Sequence, residues 1–281
     1  LYYYRKGGKM HKKYAKENLP SFIIIGAQKA GTTSLYNDIT QHPKIFRAKD
    51  KEPSYFNVFY DKGLDWYKSF FKNRKPTKVP DIRNGGIMDP LRYGSRDQIT
   101  GEATPLYLTD EVQTRIKDLI PHVKIIALLR DPIKRAWSGY QHNRYYRPKS
   151  ENRDFLTAVS WELPDTYLEE KKNFKGRKFP YLSTGLYAEH LKRWYQVFDK
   201  EQILVIDSER YFKNRLKCCH LVLEFLGLEK FNPMIGFHHM KGKGPQINQE
   251  DYLKLKNFYI EANKELKTLI GEFSWMKNYE H

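Results

Sequence analysis

Ser21-Phe-Ile-Ile-Ile-Gly26-Ala-Gln-Lys29-Ala-Gly31-Thr32-Thr33-Ser34 sets the reading of the whole chain. The first half is a short run of β-branched and aromatic residues ending in glycine. Such a run reads as a parallel strand buried on both faces. The second half is a loop of small residues that opens a helix pattern from about Thr32 to Gln41. Strand, glycine-containing loop and helix in that order begin a nucleotide-binding α/β unit. Small residues let backbone N–H groups approach an anion, and the helix N-terminus adds partial positive charge. The hydroxyls of Thr32, Thr33 and Ser34 add donors. The spacing is close to the Walker form, but Thr32 stands where that motif places its lysine, and Lys29 sits inside the loop. An ATPase or GTPase of the standard kind is therefore disfavoured. An ordinary strand-to-helix turn is the plainer alternative for the loop taken alone.

Outward from this stretch, Val123–Leu129 reads as a second buried strand, and Asp131-Pro132 starts the helix after it. Ile203–Ile206 reads as a third strand. Helices are expected over 61–72, 109–120, Leu186 to Phe198 and Leu216–Leu226, the last closed by Gly227. Residues 73–100, rich in Pro and Gly, read as a loop excursion. The basic stretch 147–181, with Lys171, Lys172, Lys175, Arg177 and Lys178, reads as a surface segment. The alternation implies one α/β domain, a central parallel sheet flanked by helices with a P-loop-like site, over 21–281. Residues 1–20 read as a basic N-terminal arm.

Composition narrows the partner. Lys and Arg number 50 against 33 Asp and Glu, a formal net charge of +17, while 40% hydrophobic residues suffice for a packed core. The charge points to a polyanion: acidic polysaccharide, nucleic acid, phosphorylated cofactor or membrane surface. No apolar run approaches the roughly 20 residues of a membrane span. The chain starts at Leu1 without an initiator Met or a signal-peptide pattern, which leaves room for an N-terminal anchor ahead of it. Cys218 and Cys219 are adjacent and form neither a disulfide framework nor a zinc motif.

The loop resembles the 5′-phosphosulfate loop of sulfotransferases that use 3′-phosphoadenosine 5′-phosphosulfate (PAPS). The carbohydrate branch, with the heparan sulfate N- and 3-O-sulfotransferases, is the most similar, and the resemblance runs from about residue 20 to 276. It implies that Lys29 neutralises the leaving oxygen and that Ala30, Gly31, Thr32, Thr33 and Ser34 hold the 5′-phosphate. Lys124-Ile-Ile-Ala-Leu-Leu-Arg130-Asp-Pro-Ile-Lys-Arg-Ala-Trp-Ser138 resembles the family's 3′-phosphate motif, which implies contacts from Arg130 and Ser138. Lys51-Glu52-Pro-Ser-Tyr55-Phe56 resembles its Glu-x-x-Phe-Phe segment, so Glu52 is the implied general base. Gly63-Leu-Asp-Trp66-Tyr67 also matches the N-sulfotransferase pattern. Tyr140-Gln141-His142-Asn-Arg144 resembles a segment whose histidine polarises the acceptor or serves as an alternative base. Lys241-Gly242-Lys243-Gly244-Pro245 resembles the loop that closes over the nucleotide, with Lys243 and Gly244 as its contacts.

The implied reaction is sulfuryl transfer from PAPS, with 3′-phosphoadenosine 5′-phosphate (PAP) as product and no metal. The implied acceptor is an acidic polysaccharide, a heparan- or chondroitin-type glycosaminoglycan, rather than a nucleic acid. Arg144, Arg147 and Lys149, interleaved with Tyr145 and Tyr146, are the expected wall for it. The implied setting is the Golgi lumen, as the catalytic part of a type II membrane protein. Three departures stand against the pattern: Ala103 replaces the lysine expected after Glu102, the family's disulfide loop is missing, and there is no Asn-x-Ser/Thr sequon. A non-catalytic heparin-binding protein and a P-loop kinase of small molecules are the competing readings of the same residues.

Overall fold

The computed structural model describes residues 17–72, 79–81, 86–88, 98–164, 178–235 and 246–280. Strand β1 is Phe22–Gly26 and helix α1, Thr32–Ile39, follows it. Strand β2 is Ile45–Arg47 and helix α2 is Leu64–Ser69. Strands β3 (Val79–Asp81) and β4 (Gly86–Met88) pair antiparallel as a separate hairpin. Strand β5 is Ile99–Glu102, and helix α3 is Gln113–Leu119. Strand β6, Lys124–Leu129, leads into the long helix α4, Pro132–Tyr146. Helices α5 (Phe155–Val159) and α6 (Tyr187–Val197) precede strand β7, Ile203–Asp207. Helices α7 (Ser208–Lys213), α8 (Arg215–Phe225) and α9 (Gln249–Ile270) complete the set.

Five strands form one sheet in the order β2-β5-β1-β6-β7. Every pairing in it is parallel. β1, β6 and β7 are buried at every position, as expected for strands covered by helices on both faces. Each fully buried Ile, Leu or Phe side chain there contributes about 1.5–3 kcal/mol of transfer free energy. Gly101 in β5 is required by packing, since a Cβ there would lie 2.4 Å from the Phe22 ring.

Several expected boundaries shift. The 61–72 helix is a 3₁₀ turn, Tyr60–Lys62, followed by α2, because Gly63 at φ 80° breaks the helical path between them. The 109–120 helix begins only at Gln113, since a 3₁₀ turn over Pro105–Leu108 occupies the approach. The 73–100 excursion holds the β3–β4 hairpin and the start of β5 among its described residues. The reading of 147–181 as surface is corrected: Phe155, Ala158, Val159, Leu163, Phe179 and Tyr181 are core residues, and Glu151 is fully buried. Asp154 caps α5 by accepting from the Thr157 N–H, so a short amphipathic helix sits inside a charged stretch. Residues 165–177 of that stretch lie outside the described residues, as do 1–16 of the expected arm.

Because the sheet is parallel, the C-terminal ends of all five strands lie along one edge. The segments after β1, β2, β5, β6 and β7 therefore gather there, the usual location of ligand sites in open α/β sheets. Helix α1 is tied to α7 and α8 by a buried cluster. Asp38 receives both an Nε and an NH2 bond from Arg215, at 3.0 and 2.6 Å, and a 2.6 Å bond from the Tyr211 hydroxyl. Both cysteines are free and buried.

Candidate active site

The loop from Gly26 to Gly31 turns β1 into α1. Gly31 takes φ 102°, a left-handed conformation that side chains with a Cβ rarely adopt. No side chain caps the N-terminus of α1. The corresponding helices after β6 and β7 differ. Asp131 caps α4 through the N–H groups of Ile133 and Lys134, and Asp207 caps α7 through those of Glu209 and Arg210. An uncapped helix start at the strand edge leaves N–H donors for an anion. Two neighbours brace the loop from outside it. The Arg130 guanidinium donates to the Lys29 carbonyl at 3.1 Å, and the Ser208 hydroxyl donates to the Ala30 carbonyl at 2.6 Å. Thr32 and Ser34 are buried, and Thr33 is half-buried.

Lys29 and Arg130 are the cations at the loop after β1 and the turn after β6, and among the described residues neither forms an ion pair with a carboxylate. Burial, reinforced by the Arg130 charge, holds the Lys29 ammonium below its ordinary pKa. Burial likewise lowers Arg130. The Lys29 Nζ lies 3.3 Å from Nδ1 of His142 on α4. His142 is pushed down by burial and then by the Lys29 and Arg147 charges, so the imidazole is held neutral. A neutral ring that accepts from Lys29 at Nδ1 carries its proton on Nε2, an assignment made from the hydrogen bond. Ser138 lies one helical turn before His142, and that i, i+4 spacing puts both on one face of α4. The Arg130 carbonyl is held by the Tyr187 hydroxyl at 3.0 Å.

Glu52 follows β2, and its side chain is 46% exposed, open to an incoming molecule. Its carboxylate pairs with the ammonium of Lys51, which also reaches the Ala103 carbonyl at 3.4 Å. A lysine thus stands beside the position where the sequence has alanine in place of the expected cation. Arg144, Arg147 and Lys149 are exposed around the end of α4, together with Tyr145 and Tyr146. Arg144 is braced against the Tyr140 hydroxyl and the Arg153 carbonyl. Lys243 and Gly244 lie outside the described residues.

The structure adds residues to this edge that the motifs did not single out. Ser208 is the position after β7 that corresponds to the loop starts after β1 and β6, a signal legible in the strand-then-turn pattern. Glu102, at the end of β5, is fully buried among hydroxyls. A cavity of about 460 Å³ between α6 and α9 is lined by Glu189, Glu261 and Glu265 beside Leu186, Ala188 and Ala262. It includes none of the residues above, and its acidic lining suits no anion. Among the described residues no cluster of three or more His, Cys, Asp or Glu is placed to hold a metal ion, and no helix is long and apolar enough to cross a membrane.

The profile of the Sulfotransferase domain family matches residues 19–267. Bifunctional heparan sulfate N-deacetylase/N-sulfotransferase 4 of Mus musculus is 27% identical over 93% of this chain and 31% of its own length. Heparan sulfate glucosamine 3-O-sulfotransferase 3B1 of Homo sapiens is 30% identical over 92% of this chain and 65% of its own. The chain therefore spans 31% and 65% of the lengths of these two relatives. The crystal structure of a sulfotransferase from Alicyclobacillus acidocaldarius is 28% identical, with a TM-score of 0.66, covering 92% of this chain and 98% of that one.

Proposed function

The chain belongs to the Sulfotransferase domain family, as a PAPS-dependent domain related to the heparan sulfate sulfotransferases, and on that premise we propose that it sulfates a hydroxyl or amino group of an acidic polysaccharide, a glycosaminoglycan. The observation that carries the reading is the contrast at the sheet edge. The helix after β1 starts uncapped beside Lys29 and Arg130, whereas aspartates close the starts of α4 and α7. These residues fit a bisphosphorylated nucleotide. The N–H groups and hydroxyls of Ala30, Gly31, Thr32, Thr33 and Ser34 would hold a 5′-phosphate, and Arg130 with Ser138 a 3′-phosphate. Lys243 and Gly244 are proposed, on the resemblance, to close over it.

When bound, PAPS supplies the sulfuryl group and leaves as PAP. Lys29 holds a desolvated positive charge at the loop where negative charge collects during transfer. Glu52 is exposed and takes the proton that the acceptor's hydroxyl or amino group loses. Lys51 places an ammonium beside it. His142, with its Nε2–H directed away from Lys29, donates to the acceptor and orients it rather than removing its proton. Arg144, Arg147 and Lys149 form a basic wall against sulfate or carboxylate groups of the polymer, and the exposed Tyr145 and Tyr146 offer rings to its sugar faces. The Golgi lumen is the compartment proposed with this acceptor, and residues 21–281 are the proposed catalytic unit behind a basic arm.

The test is incubation with sulfur-labelled PAPS and heparosan, N-sulfated heparosan, desulfated chondroitin, 4-sulfated chondroitin and dermatan, followed by digestion to disaccharides. Label in one polymer is expected and fixes acceptor and position together. No label with a PAP-induced rise in melting temperature would retain the nucleotide site and discard the glycosaminoglycan. Neither label nor stabilisation by PAP would overturn the reading and favour a polyanion-binding protein, whose affinity falls with salt.

A further inference from the structure

Ser54, two residues after Glu52, holds φ 52°, a left-handed conformation uncommon for a residue with a Cβ. Such a conformation is strained and persists only where the surroundings over-determine it. Two routes hold this turn, and both lead to one buried carboxylate. Thr104 Oγ1 accepts the Ser54 N–H at 3.4 Å and donates to Glu102 Oε2 at 2.6 Å. The Tyr67 hydroxyl donates to Glu102 Oε1 at 2.5 Å. The Tyr67 ring in turn stacks on Tyr55, with centroids 4.5 Å apart and planes at 10°, and meets Phe56 edge-on at 5.1 Å. A third tie runs alongside, since the Ala103 N–H donates to the Lys51 carbonyl at 2.8 Å. The Phe56 N–H donates to the Tyr107 hydroxyl at 3.2 Å.

Glu102 itself touches no open surface, being 0% exposed. Among the described residues no cation lies on either oxygen; its partners there are the hydroxyls of Tyr67 and Thr104. A buried carboxylate satisfied this way is unfavourable for stability alone, because hydroxyl donors offset only part of its desolvation. It does, however, fix two donors in place at once. Resting on the reading of Glu52 as the base, we propose that Glu102 is a positioning residue that sets the turn presenting Glu52 to the acceptor, acting through Thr104 and Tyr67. Burial pushes the Glu102 carboxyl up to about 7, and the nearby Glu52 and Asp50 charges push the same way against the two hydroxyl bonds. Tyr107 and Tyr36 also feel its charge, and the Lys51 ammonium lies on the adjoining Ala103 carbonyl.

Positioning and chemistry separate in the kinetics. With the acceptor polymer found in the labelled-PAPS panel, Glu102→Gln and Thr104→Val are each expected to lower kcat about 10- to 100-fold, the scale of a small misplacement of a reacting group. The KM for PAPS and the rise in melting temperature with PAP stay at wild-type values. Thr104→Ser, which keeps the hydroxyl, restores kcat to within about threefold, a return that a merely structural role would not require. Wild-type kcat in folded Thr104→Val and Glu102→Gln overturns the proposal. So does a loss of kcat that comes with an equal loss of PAP stabilisation, since Glu102 would then support the sheet edge in general. Should Glu102→Gln fail to fold, the Thr104 pair decides. A wild-type protein silent on every acceptor fails the functional reading itself, before any variant is compared.

Discussion

Nζ of Lys29 and Nδ1 of His142 lie 3.3 Å apart, joining the loop after β1 to the helix after β6 across 113 positions of sequence. The contact needs a neutral imidazole, and burial together with the two facing cations keeps it so. Lys29→Ala removes the one lysine of the loop and is expected to lower transfer by about 10³-fold or more, the scale of losing a preorganised charge at the reacting centre. His142→Ala is expected to cost about 10- to 100-fold. Because the two side chains act through each other, the double variant is expected to lose less than the product of the single losses. A strictly multiplicative cycle would show that the contact has no bearing on turnover.

Glu52→Gln tests the base. The side chain is open to solvent and its backbone N–H is held by Asp50 Oδ1 at 3.0 Å, so the amide is expected to fold and bind PAP normally. Transfer is expected to fall about 10²- to 10⁴-fold, the range of general-base losses. Normal transfer by a folded Glu52→Gln would remove Glu52 from the chemistry.

Much of this edge was legible in advance, for a physical reason. β1, β6 and β7 are buried on both faces, so they appear as unbroken apolar runs in the sequence. β2 and β5 are three and four residues long and carry Arg47, Thr100 and Glu102, so no run announces them. The stretch around Glu162 reads as solvated because it is charged. In the fold that carboxylate accepts the N–H groups of Tyr181, Leu182 and Ser183 and the Ser183 hydroxyl, doing internally what water would otherwise do. Glu102 was visible only as the neighbour of Ala103, because its partners Tyr67 and Thr104 come together only in three dimensions.

Two opposed groups near the site are expected to contribute to the pH dependence of stability, beside buried histidines such as His42, which burial lowers to about 4. Glu102 moves up from 4.5 to about 7 in the fold, so the unfolded chain releases its proton first. Its contribution is full below pH 4.5 and is lost as pH rises through about 7, by at most on the order of 3 kcal/mol. His142 moves down from 6.5, so its contribution is full above that value and is lost as pH falls through its lowered pKa. Melting temperatures from pH 4.5 to 7.5 are expected to fall less steeply with rising pH in Glu102→Gln than in wild type. In His142→Gln they are expected to fall more steeply. Slopes unchanged in both variants would show that neither group titrates differently on folding.

Asp38 is the anchor of α1 against α7 and α8. Removing it strands the Arg215 guanidinium without its carboxylate in a site where both are nearly inaccessible. Asp38→Ala is expected to destabilise by about 3–5 kcal/mol, the cost of breaking a buried pair from one side. Urea unfolding would read it. A loss under about 1 kcal/mol would mean that the Tyr211 hydroxyl and water replace the pair.

Asp131 lies between the two implied phosphate contacts, Arg130 and Ser138, and holds the helix that carries the second. Its Oδ1 accepts the Ile133 and Lys134 N–H groups and the Tyr279 hydroxyl at 3.1 Å, and its Oδ2 accepts the Tyr252 hydroxyl at 2.7 Å. One fully buried carboxylate thus starts α4 and fastens the C-terminal helix and the chain's last turn to it. Losing a helix cap costs about 1 kcal/mol, and each buried hydroxyl left without an acceptor about 1–3 kcal/mol more. Asp131→Ala is therefore expected to lose about 3–7 kcal/mol, and Asp131→Asn less, since its amide oxygen still caps. The telling readout is PAP binding to the variant that folds. α4 carries Ser138 and His142, so loosening its first turn shifts both relative to Lys29. Asp131→Asn is expected to weaken stabilisation by PAP more than Asp38→Asn at matched stability. Equal weakening in the two would mean that PAP reports only the stability of the fold, and that α4 is held in register from elsewhere, as by the Asn143 amide donating to the Tyr181 hydroxyl at 3.0 Å.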